Sequence, residues 1–145
     1  MAKEIKTSIR IQASPQKVWA ILTNFESYPS WNPFIKSIVG PAIVGKKIKA
    51  RIEPPNASGM SFTPTVLVFN TNQEFRWLGH LLIPGLFDGE HSFTLTDNGD
   101  GSTTLVQAET FKGILVPLFK SMLDVNTVEG FNLMNQKVKE LAEQP

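Results

Sequence analysis

The order of segments along the chain predicts an α+β fold, with a mainly antiparallel sheet of about seven strands and one long C-terminal helix. Three observations carry that expectation. Residues 4–12 alternate apolar and polar side chains, as a half-buried strand does. Six further strand-like runs fill residues 35–112, parted by turn-forming residues and with no long helical stretch between them. From Pro117 to Glu143, apolar residues recur every three or four positions with no strong breaker. Strands gathered into one run, with helices on either side, read as α+β and not as alternating β–α units.

The first strand puts Ile5, Thr7, Ile9 and Ile11 on one side and Lys6, Ser8, Arg10 and Gln12 on the other. Ser14-Pro15 then opens a short helix. Serine caps it, and proline suits its first position, where an N–H would be unsatisfied anyway. Val18, Ile21, Leu22 and Phe25 form its apolar stripe. The string Glu26 to Pro33, with Pro29 and Pro33, predicts a second helical turn and a tight corner. Strands are expected at about Ile35–Gly40, Lys46–Ile52, Phe62–Asn70, Phe75–Leu82, Phe87–Asp97 and Thr103–Lys112. The breaks between them are rich in Gly, Pro, Asn and Asp, most densely at Asp97-Asn98-Gly99-Asp100-Gly101. Pro64 cannot donate to a sheet ladder, so it should stand at an edge, a strand start or a bulge.

In the last helix, Leu123, Thr127, Gly130, Phe131, Met134, Val138 and Leu141 make one continuous stripe. Leu118, Phe119, Met122 and Val125 form a second apolar group round its first half. A surface helix needs one stripe, so the second face must meet a lid, a loop, a partner or a bound molecule. Gly130 sits mid-helix, where it costs about 1 kcal/mol relative to Ala. Close approach of the sheet, or a bend, would account for it.

Size and composition narrow the function classes. The chain has 145 residues, 41% hydrophobic and 19% charged, with net charge +1. That suits one globular domain over residues 1–145. Lys46, Lys47, Lys49 and Arg51 alternate along a strand and read as its solvated face. The scattered charge gives no basic footprint, so no nucleic-acid partner is expected. There is no cysteine, which removes disulfides, thiolate catalysis and sulfur-ligated zinc. Only two histidines occur, and His80 and His91 fall on opposite sides of neighbouring strands, so no metal triad is expected. Neither a phosphate-cradling glycine loop nor a Gly-x-Ser-x-Gly elbow appears. No cofactor and no metal are expected. The first residues lack an apolar run and no window could span a membrane, so a cytoplasmic location is expected, as a monomer or a homodimer.

Alternation sorts the inner face of the sheet. Phe87, Gly89, His91, Phe93 and Leu95 share one side of their strand; Leu105, Gln107, Glu109 and Phe111 share one side of the next; Phe75, Trp77, Gly79 and Leu81 extend the surface. If Asp97 pairs with Thr103, Leu95 meets Leu105, Phe93 meets Gln107 and His91 meets Glu109, each about 5 Å apart. An apolar face would then carry three polar groups. A buried glutamate needs a partner, and His91 suits it, by sharing a proton. Three readings of the pair stand: a stitch between strands, a group orienting a ligand, or an acid/base dyad. A bulge would turn Glu109 outward. His80 should be solvated.

Several strings carry a resemblance. They are Ser14-Pro15-Gln16-Lys17-Val18-Trp19, the corner Tyr28 to Phe34, Phe75-Arg76-Trp77-Leu78-Gly79, Gly85 to Phe93, and Glu109 to Gly113. With the order of elements, they resemble the SRPBCC superfamily, also called START-like or Bet v 1-like, and within it bacterial polyketide cyclase/dehydrase-like proteins. The resemblance implies a helix-grip fold, a curved sheet wrapped round the last helix with a cavity between them. It implies a small hydrophobic ligand, such as a lipid, a polyketide or an aromatic metabolite. Trp77, Phe87, His91, Phe93, Gln107, Glu109, Phe111, Phe119, Met122, Phe131 and Met134 would line the site, with Trp31 and Asn32 either packing the corner or forming the cavity rim. Two alternatives remain open. One is a cofactor-independent cyclase, dehydratase or hydrolase using His91 and Glu109 as proton movers. The other is a protein-interaction or co-chaperone module.

Overall fold

A computed structural model describes residues 2–145. Strand β1 (Ala2–Ile11) leads to helix α1 (Pro15–Thr23), a 3-10 turn at Phe25–Ser27 and the single-turn helix α2 (Tyr28–Trp31). Then come β2 (Ile35–Val39), β3 (Lys49–Ile52), β4 (Met60–Phe62), β5 (Thr65–Asn70), β6 (Glu74–His80), β7 (Asp88–Asp97) and β8 (Thr103–Lys112). Helix α3 (Val128–Ala142) closes the chain.

As expected, Ser14 caps α1: its Oγ accepts from the Lys17 N–H at 3.2 Å, with proline next in line. Val18 and Leu22 of the stripe are buried. The corner is held by Asn32, whose Oδ1 accepts from the Phe34 and Ile35 N–H groups at 2.9 and 2.8 Å. The Tyr28 hydroxyl, fully buried, donates to the Leu22 carbonyl at 2.5 Å. Burial pushes that phenol well above its usual range.

The strands make a five-stranded antiparallel sheet in the order β1-β8-β7-β6-β5 and a three-stranded one in the order β2-β3-β4. Eight strands replace the seven expected, and the reason is Pro64. It breaks the run expected at Phe62–Asn70 into β4 and β5, because it has no N–H to offer the ladder. The run expected at Lys46–Ile52 divides at the same corner. Its first half bonds to β5, with Ile48 N–H donating to the Pro64 carbonyl (3.0 Å) and Val66 N–H to the Lys46 carbonyl (2.9 Å). Its second half, β3, pairs with β2 and β4. The sheet therefore folds over at Pro64 and curls round α3.

The expected register holds. Asp97 pairs with Thr103, and His91 stands opposite Glu109. Residues Phe75, Trp77, Phe93, Leu95 and Leu105 are buried on the inner face. From α3, Phe131, Met134 and Val138 press on them. Gly130 permits a close approach: a Cβ there would lie 2.3 Å from Cδ1 of Phe34, so only glycine lets that ring rest on the helix backbone.

The long C-terminal helix departs from expectation in its first half. The path turns helically from Val116, but Val116–Phe119 is 3-10 and Met122–Thr127 is π-helical. A π turn carries an extra residue, yet the expected stripe from Leu123 to Val138 stays inward. Leu123 and Thr127 face the core, while Leu118 and Val125 of the second apolar group are 75% and 60% exposed. Phe119 and Met122, from that same group, pack on the core. No helix among the described residues is long and apolar enough to cross a membrane.

Candidate functional site

Two glycines hollow the inner face. Gly79 on β6 and Gly89 on β7 pair directly across the strands, and Gly89 pairs in turn with Phe111 on β8. Where neighbouring positions carry Trp77, His91 or Phe93, these two carry nothing. An apolar slot opens over them. Its sheet side is Trp77, Phe87, Glu109 and Phe111 beside the two glycines. Met122, Leu123 and Thr127 of the π segment cover it. Phe34, Ile52, Pro54, Ser58, Met60 and Phe62, from β2–β4 and their loops, close the third side. The cavity holds about 50 Å³ and opens through its mouth to solvent. Met60 and Met122 are its most adaptable walls, since an unbranched thioether repacks at low cost.

Glu109 is the only charged residue on that lining. Its side chain is 11% exposed. Oε1 sits 3.0 Å from Nδ1 of His91, which is wholly buried. Oε2 lies over Gly89, 2.3 Å from where a Cβ would stand. Residue 89 must therefore be glycine for this rotamer to exist. Oε2 has no hydrogen-bond partner among the described residues.

A buried polar chain continues behind His91, and its polarity can be read from one end. The Thr7 hydroxyl is 3.0 Å from the Gln107 main-chain carbonyl, which can only accept, so Thr7 donates. Its oxygen then accepts from Asn135 Nδ2 at 2.9 Å. Asn135 Oδ1 thus faces Gln107 and accepts from its Nε2 at 2.8 Å. Gln107 Oε1 is left for His91 Nε2, at 3.0 Å, so Nε2 carries a proton. On the other side of the ring, a bare Nδ1 against a carboxylate would set lone pair against lone pair. One proton therefore lies between Nδ1 and Glu109 Oε1, whichever atom it is drawn on. Trp77 stacks on the imidazole (4.8 Å, 23° between planes), and Phe93 and Phe131 pack at 4.9 and 5.1 Å. The ring cannot rotate away from this chain.

The structure divides the expected site residues. Trp77, Phe87, Glu109, Phe111 and Met122 stand on the slot. His91, Phe93, Gln107, Phe131 and Met134 do not: each is fully buried in solid core one layer deeper. Phe119 packs edge-on against Phe87 at 5.1 Å and stays off the lining. Trp31 and Asn32 are not a cavity rim. Trp31 donates from Nε1 to Ser27 Oγ (3.0 Å) and packs on Tyr28, and Asn32 is the buried corner bracket. His80 is exposed as expected, but it also pairs with Asp88 at 2.8 Å.

Alternation missed several members. Asn135, which finishes the polar chain, follows Met134 on the buried stripe and reads as polar on a helix's shoulder until its partner is seen. The third wall comes from Phe34, Ile52, Pro54, Ser58, Met60 and Phe62, brought over only by the fold at Pro64.

Comparisons with solved structures give the same architecture. The aromatase/cyclase Zhui from a Streptomyces species is 12% identical over 99% of this chain and 94% of its own, with TM-score 0.78. The di-domain aromatase/cyclase BexL also reaches 0.78 at 11% identity over 99% of this chain, but this chain spans only 51% of BexL. A START superfamily protein from Mycobacterium smegmatis is 19% identical over 95% of this chain and 98% of its own, TM-score 0.71. At these identities the likeness is one of fold, a helix grip of the START-like, Bet v 1-like kind. No curated protein matches the sequence. The family described as "polyketide cyclase / dehydrase and lipid transport" matches residues 2–143, nearly the whole chain, and the protein belongs to that family.

Proposed function

We propose that this protein binds a small hydrophobic molecule, such as a lipid, a polyketide or an aromatic metabolite, in the slot between β6–β8 and the π segment, with Met60 and Met122 drawing back to enlarge the roughly 50 Å³ now open. One observation carries the reading: apolar walls surround an opening that no side chain fills, at a point where two glycines face each other. Burying a ligand's apolar surface there yields about 25 cal/mol per Å², and a single carboxylate fixes its orientation. The family's description supports a ligand of this chemistry. Gly79→Val tests it. A Cβ at that position meets Pro64 at 3.5 Å and Phe62 at 3.9 Å, ordinary contacts, so a side chain can start there without a clash at its root and its branches take up space in the slot; an unchanged circular dichroism spectrum checks that the variant folds. Apolar compounds that raise the wild-type melting temperature should lose their effect on Gly79→Val. Equal stabilisation of both would place binding elsewhere.

A second reading is cofactor-independent cyclisation or dehydration, favoured by the shared proton at the slot wall. Glu109 would be the catalytic residue, as the group that touches the ligand, and His91 the positioning residue behind it. If so, Glu109→Gln abolishes turnover of a candidate substrate and leaves its binding intact. Unchanged turnover removes this reading.

A further inference from the structure

We infer that the bound molecule presents a hydrogen-bond donor, an alcoholic or phenolic hydroxyl or an ammonium group, to Glu109 Oε2, and that ligands ending in a carboxylate are rejected. The inference rests on the slot being a ligand site and specifies the ligand's polar end.

The argument follows from the direction of the polar chain. Thr7, Asn135 and Gln107 leave His91 Nε2 as a donor, and the proton on the other side of the ring lies between Nδ1 and Oε1. Drawn as imidazolium and carboxylate, Oε2 is an anionic acceptor. Drawn as neutral imidazole and carboxylic acid, the proton sits on Oε1 and Oε2 is the carbonyl oxygen. In both drawings the oxygen over Gly89 accepts and has nothing to donate. It has no hydrogen-bond partner among the described residues, and once a ligand displaces water from the slot only that ligand can supply one. An acceptor left unpaired when the slot closes over an apolar molecule costs free energy; a donor in that place recovers it.

The rest of the lining supports the exclusion. It contains no Lys or Arg, and its other polar side chains are Ser58 and Thr127. The cation on β1 that shares the inner face, Lys3, stands opposite Phe111 but is tied to Asp124 of the π segment and stays off the lining, and Arg76, on the opposite face, is held by Glu74 and Glu90 at 2.7 and 2.8 Å. A fatty-acid carboxylate would meet Glu109 with no counter-charge in an apolar site. The polar end of the ligand is therefore the reverse of a fatty acid's.

Three probes of one ring system decide it: naphthalene, 2-naphthol and 2-naphthoate, titrated at neutral pH into the wild type, Glu109→Met and Glu109→Gln by calorimetry or ligand-observed NMR. The wild type should bind 2-naphthol at least about tenfold more tightly than naphthalene, as a hydrogen bond to a charged or charge-sharing group does, and 2-naphthoate more weakly than either. Glu109→Met should bring naphthol and naphthalene within about threefold. Glu109→Gln should keep the preference for naphthol, because its amide N–H₂ can donate to His91 Nδ1 and leave its oxygen over Gly89. Naphthol and naphthalene binding the wild type equally, naphthoate binding best, or the preference for naphthol surviving in Glu109→Met would each overturn the inference while the slot stands as a binding site. If none of the three binds the wild type, the ligand-site reading itself falls and takes the inference with it.

Discussion

At one end of the interface between sheet and helix, Phe93, Leu95, Leu105 and Gln107 meet Phe131, Met134 and Val138, all buried and with no opening between them. At the other end, Trp77, Phe87 and Phe111 face Met122 and Leu123 across an open slot. Hydrophobicity does not separate the two ends, since both are aromatic and aliphatic. Side-chain volume and helix geometry do. The open end has glycines at two adjoining inward positions, and above them the helix is π-wound. The closed end has a full side chain at every inward position under a regular α-helix. The His91 chain runs between them. Its far members stabilise packed core, and only its last oxygen reaches the slot.

Mutations should separate the ends by the cost of truncation. Phe93→Ala at the closed end leaves a cavity in packed core and should cost about 3–5 kcal/mol in urea unfolding. Met122→Ala at the open end, half-buried beside existing space, should cost about 1 kcal/mol. Comparable losses would mean that the open end is as solid as the other. Gln107→Leu, which leaves His91 Nε2 and Asn135 Oδ1 buried without partners, should cost about 2–3 kcal/mol, as unpaired buried groups do. A loss under half a kcal/mol would show that the chain does not hold these atoms. Gly130→Ala forces Phe34 off the helix. A Cβ within 3.0 Å of three atoms of the Phe34 ring puts overpacking in the upper part of its usual range of about 1–3 kcal/mol, above the gain in helix propensity of about 1 kcal/mol, so the variant should be less stable. Phe34 belongs to both ends: it packs on Phe131 at 5.4 Å and walls the slot. Ligand affinity should therefore change with stability; a variant more stable than wild type would contradict the glycine's assigned role.

The smallest effect concerns the strap over the slot. Asp124, in the π segment, is held below the usual carboxylate range by hydrogen bonds from Lys120 and from Lys3 of β1. A carboxylate depressed in the folded state adds stability above its unfolded value and loses it as pH falls through its folded value. The melting-temperature difference between wild type and Asp124→Asn should thus be largest near neutral pH and shrink on acidification. A difference that grows in acid would show that this tie does not hold the strap.

Much of this was legible in the sequence, where local rules act alone. Period-two alternation put Phe93 beside Gln107 and His91 beside Glu109, because a pleated ladder without a bulge keeps that register once Asp97 pairs with Thr103. The cap at Ser14 and the break at Pro64 followed from single hydrogen-bonding groups. The depth of the cavity was not legible. Whether Phe131 and Met134 line a void or fill it depends on where α3 settles, and that depends on Phe34 against Gly130, a contact between residues 96 positions apart. The π turn was equally hidden, since the stripe through Leu123 and Thr127 suits an α-helix as well. Leu118 and Val125, of the second apolar group, point to solvent.

The methionines provide the most direct test of the central claim. Met60 and Met122 flank the slot, and Met134 is fully buried at the closed end. With methyl-labelled methionine and saturating 2-naphthol, intermolecular Overhauser effects should connect the ligand's ring protons to the Met60 and Met122 methyls and not to that of Met134. Contacts to Met134, or binding with no contact to Met60 or Met122, would contradict the placement of the ligand over Gly79 and Gly89.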